Sequence, residues 1–250
     1  MAVVLKSSQE IEKMRRAGRV VREVLEQVRS QVKPGATTLD LEHAAQARLA
    51  ELGGKAAFKG YHGFPCVLCA SVNSEVVHGI PSPRRVLKEG DIVSLDFGAV
   101  VDGYYGDAAI TVPVGEKIDP GTARLLAATE ASLQAGIAAV RPGATLGDVG
   151  AAVQGVVEAE GFSVVRDFVG HGIGVHMHED PQVPNFGQRG RGMKLRKGMV
   201  IAIEPMVNAG QADVVVMEDG WTAVAKDGSM SAHFEHTVAV TATGARVLTE

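Results

Sequence analysis

Apolar residues recur at helical spacing through Ile11, Met14, Val20, Val21, Val24, Leu25 and Val28, behind a Ser7/Glu10 capping box. The pattern predicts a helix ending before the turn at Lys33-Pro34-Gly35. A second helix is expected over about Thr38 to Leu52, stopped by Gly53-Gly54. From Lys55 to Thr111 the chain is punctuated by glycine and proline and reads as extended. Within that stretch Asp91 to Val101 alternates with period two, and Asp102-Gly103 has the composition of a two-residue hairpin turn. Asp119-Pro120 reads as N-cap and first residue of a helix running to about Val140, and a fourth helix is expected from about Thr145 to Glu160. Met199 to Val207, Asp213 to Glu218 and Phe234 to Val240 read as extended.

The order helix, turn, helix, strands occurs twice, and the sequence repeats with it. Val32-Lys33-Pro34-Gly35-Ala36-Thr37 returns as Val140-Arg141-Pro142-Gly143-Ala144-Thr145, 108 positions on. Leu87-Lys88-Glu89-Gly90 with Ile92 to Asp96 returns at the same offset as Leu195-Arg196-Lys197-Gly198 with Val200 to Glu204. A turn-plus-cap string recurs readily by convergence; the second match carries the claim. A single domain over 1–250 is expected, with internal halves of about 1–115 and 116–250. The repeat places Asp96 and Glu204 at equivalent positions, where they would face one another near a twofold axis.

Composition narrows the class. With 46% apolar and 22% charged residues the chain is globular, and a net charge of −4 gives no sign of a DNA or anionic-membrane partner. No apolar run is long enough to span a bilayer, the N-terminus lacks the shape of a signal peptide, and two cysteines build no disulfide framework. A cytoplasmic protein is expected, and a monomer, since no long exposed apolar stripe is evident.

The chemistry is carried by acidic residues in apolar strands. If the Asp102-Gly103 turn pairs Val101 with Tyr104, Gly98 opposes Asp107, and Asp96 becomes its diagonal neighbour at roughly 7–8 Å between backbones. Two such carboxylates repel unless one is protonated or a cation lies between them. A solvent-facing acidic pair is the alternative, and the apolar neighbours of Asp96 (Ile92, Val93, Leu95, Phe97) disfavour it. Glu204 ends another apolar strand, and Glu235 lies in a β-branched one. His171 sits between Gly170 and Gly172, and His176 and His178 would share one face of an extended segment. A lone buried histidine is more often structural than a ligand, but three within eight positions of a glycine-rich stretch shift the balance. Four carboxylates and an imidazole form a hard donor set whose charge suits two divalent ions, with Mn, Fe, Co and Zn all compatible. Cys66-Val67-Leu68-Cys69 has no partner pair for a zinc site and no redox context, so Cys69 reads as a pocket wall. The spacing of Gly170, Gly172 and Gly174 is not that of a dinucleotide loop.

Taken together, YHGF at Tyr61 to Phe64, NSEVVHGIP at Asn73 to Pro81, SLDFGAVVDGYYGD at Ser94 to Asp107, GHGIG at Gly170 to Gly174, MHEDPQVPNF at Met177 to Phe186, AIEPM at Ala202 to Met206 and SAHFEHT at Ser231 to Thr237 make the chain resemble, over essentially its whole length, the methionine aminopeptidases of the short bacterial type (type I). The resemblance implies an α+β pita-bread (creatinase/aminopeptidase) fold, two pseudo-twofold halves around an antiparallel sheet. It implies two divalent ions (Co, Mn, Fe or Zn) held by Asp96, Asp107, His171, Glu204 and Glu235. Asp107 and Glu235 would bridge, Asp96 would bind the first ion, and His171 with Glu204 the second.

The implied reaction is removal of the N-terminal methionine from nascent polypeptides with a small second residue, by a metal-bridging water or hydroxide attacking the first peptide bond. Glu204 would shuttle the proton, His178 would contact the scissile carbonyl, His78 would hydrogen-bond the scissile nitrogen, and the free α-amine would bind an ion. By the same resemblance the methionine pocket comprises Tyr61, Phe64, Cys69, His78, Met177 and Trp221. The chain departs from the commoner family pattern at Met177, Phe58 and Phe64, which bears on pocket dimensions and inhibitor preference. His176 and His233 are not family ligands and read as supporting or surface residues. The chain's own Met1-Ala2 start fits the substrate rule. A basic run, Arg189, Arg191, Lys194, Arg196 and Lys197, reads as a solvated loop, with docking on ribosomal RNA near the exit tunnel as the alternative. A related Xaa-Pro peptidase lacks support because no large N-terminal domain precedes these motifs, and a catalytically dead peptide-binding module would have lost ligands that are all present.

Overall fold

Among the described residues four α-helices form where the capping signals place them: α1 (Ser8–Arg29), α2 (Thr38–Glu51), α3 (Pro120–Ala139) and α4 (Leu146–Ala159). The structure is a computed structural model and describes residues 3–250, so the Met1-Ala2 start lies outside the described residues. The Ser7 hydroxyl accepts from the amide of Glu10, whose carboxylate accepts from the amide of Ser7. Thr37 with Asp40 and Thr145 with Asp148 build the same reciprocal box on α2 and α4. Each cap stabilises its helix by about 1 kcal/mol. Asp119 caps α3, with Pro120 at its start.

Among the described residues the central sheet has nine strands, all paired antiparallel. Its main path runs Lys55–Ala56, Ile92–Val101, Tyr104–Pro113, Glu235–Val240, Val200–Ile203, Gly170–Gly172, Glu179–Val183, with Leu68–Val72 and Ala245–Val247 flanking. Two three-stranded sheets complete the fold, Ser163–Val164 with Met206–Asn208 and Ser231–His233, and Glu75–Val77 with Ala223–Ala225 and Val214–Val216. This is the expected α+β class.

Helices α1 and α2 cover one side of the sheet's first strands. The α1 stripe Val21, Val24, Leu25 and Val28 and the α2 residues Leu41, Ala45 and Leu49 share a core with Val93, Leu95 and Phe97. Leu125, Leu133 and Ile137 of α3 and Val149 and Val157 of α4 form a second core with Ile201, Ile203 and Val238. The turns feeding α2 and α4 are bonded alike. Gly35 N donates to Leu87 O and Gly143 N to Leu195 O, both at 2.9 Å, and Thr37 bridges Val86 as Thr145 bridges Lys194. Each residue of the first set lies 108 positions before its counterpart in the second.

Where the two sets of strands meet, Tyr104–Pro113 and Glu235–Val240 pair directly only at Glu235↔Ala109 and His236↔Ala108. Threonine hydroxyls extend the contact on either side. Thr237 Oγ1 accepts from Asp107 N at 3.1 Å and donates to Asp107 O at 2.8 Å. Thr111 Oγ1 does the same for the backbone of His233, at 2.9 and 2.7 Å. The backbone of Asp107 is thereby tied across the seam.

Three local expectations are corrected. Tyr61–Gly63 is a short 3-10 turn rather than extended chain, with His62 at φ 48° and Gly60 at φ 87° on its approach. Met199 to Val207 is broken at Glu204-Pro205 into two strands belonging to different sheets, since proline has no N–H for the ladder. Residues 174–178 are bent, so His176 and His178 share no strand face. The amides of Val175 and His176 donate to the Glu179 carboxylate at 2.8 and 3.1 Å, which takes them out of any ladder.

Candidate functional site

The hairpin register is the one the Asp102-Gly103 turn requires. Val101 pairs with Tyr104 and Gly98 with Asp107, leaving Asp96 opposite Ala109. Both turn residues have positive φ, 50° and 78°, as a two-residue hairpin of this type demands. Asp96 and Asp107 therefore emerge on one face, and the pairing of Glu235 with Ala109 brings a third carboxylate beside them. Glu204 follows the next strand, its backbone carbonyl accepting from the buried Asn185 amide at 3.0 Å. His171 reaches the same point from the strand beyond. Side chains at Gly170 or Gly172 would overlap the carbonyls of Ala202 and Asp180, so only glycine lets this strand approach so closely.

His171 Nδ1 lies 2.9 Å from the carbonyl of Gly172, which makes it the donor and leaves Nε2 with a free lone pair. That Nε2 lies 3.5 Å from Glu204 Oε1 and 3.9 Å from Asp107 Oδ2. Ligand atoms of Asp107, His171 and Glu235 all fall within 4.8 Å of one another. Burial pushes Asp107 up to about 7, and burial followed by the neighbouring carboxylates pushes Asp96, Glu204 and Glu235 well above the usual range. Burial holds His171 down at about 3, hence neutral.

Asp96 Oδ1, Asp107 Oδ1 and Glu235 Oε1 are buried without a hydrogen-bond partner. Among the described residues the ion-pair partners recorded for Asp107 and Glu204 are the imidazoles of His171 and His233, which burial keeps neutral. Glu42 provides the contrast. It is equally buried, yet its carboxylate accepts from the amides of Val67 and Leu68 at 2.9–3.1 Å. An interior carboxylate left unsatisfied costs several kcal/mol unless it is neutralised or coordinates a cation. The donor set therefore fits a metal centre, with Asp107, His171 and Glu235 as its buried nucleus.

A cavity of about 260 Å³ opens over this cluster. Its apolar wall includes Phe58, Phe64, Cys69, Met177 and Trp221, and the rings of Phe64 and Trp221 meet edge-on at 5.2 Å. At its mouth the Tyr61 hydroxyl lies 2.7 Å from His178 Nδ1, and the His178 ring packs on that of His171 at 4.3 Å. His78 enters from the other side at φ 61°, a left-handed conformation uncommon for a side-chain-bearing residue. Burial lowers its pKa to about 4.

The model of metallopeptidase family M24 matches residues 12–242. Methionine aminopeptidase A of Synechocystis is 49% identical over 99% of this chain and 97% of its own length, and methionine aminopeptidase 1 of Bacillus subtilis 48% over 99% of both. The crystal structure of methionine aminopeptidase from Thermotoga maritima superposes with a TM-score of 0.98 at 51% identity, covering all of both chains. The chain belongs to metallopeptidase family M24, as a methionine aminopeptidase of the short bacterial type. Its curled antiparallel sheet and helices are the pita-bread fold of that family. The prolidase of Pyrococcus horikoshii shares the fold at a TM-score of 0.77 and 20% identity, with this chain covering 63% of its length.

All the site residues singled out from the methionine aminopeptidase motifs line this one cavity: Asp96, Asp107, His171, Glu204 and Glu235 at its floor, and Tyr61, Phe64, Cys69, His78, Met177, His178 and Trp221 around it. His62, Val77, Phe168 and Met206 also line it and carried no individual signal in the sequence. His233 is fully buried in the lining with Nε2 3.8 Å from Glu204 Oε2, so it is not a surface residue. Its spacing two residues before Glu235 was the available clue, since alternate strand positions share a face. His176 is exposed.

Proposed function

We propose that this methionine aminopeptidase removes the N-terminal methionine from nascent polypeptides with a small second residue, using two divalent ions held by Asp96, Asp107, His171, Glu204 and Glu235. The observation that carries the reading is the convergence of partnerless, buried carboxylate oxygens and a neutral imidazole at the floor of an apolar cavity. When bound, such ions supply Lewis acidity and lower the pKa of water toward neutrality; Mn, Fe, Co and Zn all suit the donor set.

The chain's own residues supply the rest. Phe58, Phe64, Cys69, Met177 and Trp221 take the unbranched thioether side chain of the substrate. Glu204, whose pKa is raised by burial and by Asp107, accepts the proton of the attacking water and returns it to the leaving amine. Tyr61 donates to His178 Nδ1, which leaves Nε2–H free to donate to the scissile carbonyl as charge develops on its oxygen. His78 hydrogen-bonds the scissile nitrogen. The free α-amine, sitting among the carboxylates, makes the enzyme an exopeptidase. The substitutions at Met177, Phe58 and Phe64 act on pocket size and inhibitor preference. The test is methionine release from Met-Ala-Ser against dipeptide cleavage of Ala-Pro. We expect turnover of the first only; cleavage of Ala-Pro with Met-Ala-Ser intact would favour an Xaa-Pro peptidase instead.

The 108-residue repetition of turn bonds supports one catalytic domain of two related halves, about 1–115 and 116–250. The enzyme works as a cytoplasmic monomer in this reading. Cys66 and Cys69 are free thiols, and no helix among the described residues is long and apolar enough to cross a membrane. The exposed run of Arg189, Arg191, Lys194, Arg196 and Lys197 suits docking on ribosomal RNA, close to emerging chains. Neutralising all five should weaken ribosome co-sedimentation at low salt; unchanged sedimentation would remove this role.

A further inference from the structure

We propose that Lys6 is a positioning residue for the active site, acting through a buried ion pair with Glu179 that sets the turn carrying Met177 and His178. This inference rests on the function proposed above. Lys6 and Glu179 lie 173 positions apart in sequence, and their paired side chains are only 3% and 8% exposed. The Glu179 carboxylate serves two purposes. One oxygen holds the Lys6 ammonium, while the other accepts from the amides of Val175 and His176 and so folds the bend over 174–178. Lys6 is itself fixed, its ammonium donating to Val4 O at 3.2 Å and its backbone amide to Gly198 O at 2.7 Å.

The bend ends in two site residues. Met177 is 3% exposed in the pocket wall, and His178 meets Tyr61 and His171. Gly174 is a second, independent sign that the pair is built in. A Cβ there would lie 2.6 Å from Glu179 Oε1 and 2.7 Å from Lys6 Nζ, so glycine makes the space the pair occupies. Gly198 leaves room for the backbone of Lys6 in the same way, with φ 91° and a Cβ position 2.8 Å from Lys6 O. The N-terminal segment is thus a strap whose anchor is the turn facing the substrate carbonyl. Neither Lys6 nor Glu179 touches the cavity floor, so the strap orients His178 without entering the chemistry.

The experiment compares Lys6→Met, His178→Ala and their double variant in the metal-loaded enzyme, with amide hydrogen exchange of residues 175–178 followed alongside. Lys6→Met keeps the aliphatic stem and removes the charge. It should lower kcat/KM on Met-Ala-Ser ten- to a hundredfold, leave metal stoichiometry unchanged, and speed exchange at Val175 and His176 at least tenfold. In the His178→Ala background the same change should cost less than threefold more, because both act through one imidazole. Additive losses, or parental exchange rates, would overturn the proposal. If Lys6→Met does not fold, Lys6→Met/Glu179→Gln leaves no lone buried charge; it should still exchange at least threefold faster at these amides, and parental exchange and kcat/KM in it would overturn the proposal equally. Should the parental enzyme release no methionine under any metal, the functional reading fails while the exchange arm still decides whether Lys6 holds the bend.

Discussion

Glu204→Gln is expected to lower kcat on Met-Ala-Ser by a hundred- to ten-thousandfold, the range associated with loss of a general acid–base. Two properties of the site make this the most damaging conservative change. Glu204 stands at the end of Val200–Ile203, facing His171 at 3.5 Å and His233 at 3.8 Å, and it keeps part of its surface in the cavity where water and substrate arrive. Its carboxylate is also pushed well above the usual carboxylate range by burial first and then by Asp107 and Asp96, which favours its holding a proton. Glutamine preserves the volume and one oxygen donor but can accept no proton. The backbone at 204, held by Asn185, should be undisturbed. The check is kcat at saturating substrate with metal content measured on the same sample. A variant within tenfold of the parental rate, with metal bound, would remove Glu204 from the proton-transfer role.

Metal removal should abolish methionine release and also change how stability depends on pH. Asp107 is pushed up to about 7, and Asp96, Glu204 and Glu235 lie well above the ordinary carboxylate range, because all four are buried beside one another. In the metal-free protein the folded state therefore holds more protons than the unfolded state, where these groups ionise near 4. Stability from these protons is complete below pH 4 and is lost as pH rises through the folded-state values. The buried histidines act in the opposite direction but below the window chosen. His78, His171 and His233 are pushed down to about 4, 3 and 3, and above pH 7 they are largely neutral in both states. Between pH 7 and 8.5 the carboxylates dominate, so the melting temperature of the chelated protein should fall across that interval. Reloading with Mn, Fe, Co or Zn should raise the melting temperature and flatten the slope, since a cation replaces the protons and binds only the folded arrangement. Thermal melts of both forms at pH 7 and 8.5 decide it. A chelated protein as stable at 8.5 as at 7 would mean that the carboxylates are not confined together as described.

Much of this site was legible before folding because its parts lie in locally determined structure. The Asp102-Gly103 turn sets the hairpin register, and the register alone puts Asp96 and Asp107 on one face. The repeat pairs Asp96 with Glu204 through strings that prove to make matching turn bonds. Helix limits followed from caps whose partners are three residues away. The 170–179 segment went differently. Its glycines suggested extended chain, and it is bent, because Glu179 captures two amides and is held in turn by a lysine 173 positions distant. Tyr61–Gly63 turns through local backbone bonds, Tyr61 N to Phe58 O and Phe64 N to Tyr61 O, with positive φ angles falling on His62 as well as on glycines.

The sequence by itself determined the helices, the hairpin and the repeated turn strings, since capping, alternation and turn chemistry act over a few residues. The tertiary structure alone decided that Glu235 stands beside Asp107, that Thr237 ties the two strands, that His233 backs Glu204 and that Phe168 and Met206 close the cavity. These contacts join residues with no local signal in common. They exist because the strands Tyr104–Pro113 and Glu235–Val240 meet at the centre of one sheet, where burying both apolar cores brings the unpaired charges of each half to the same point.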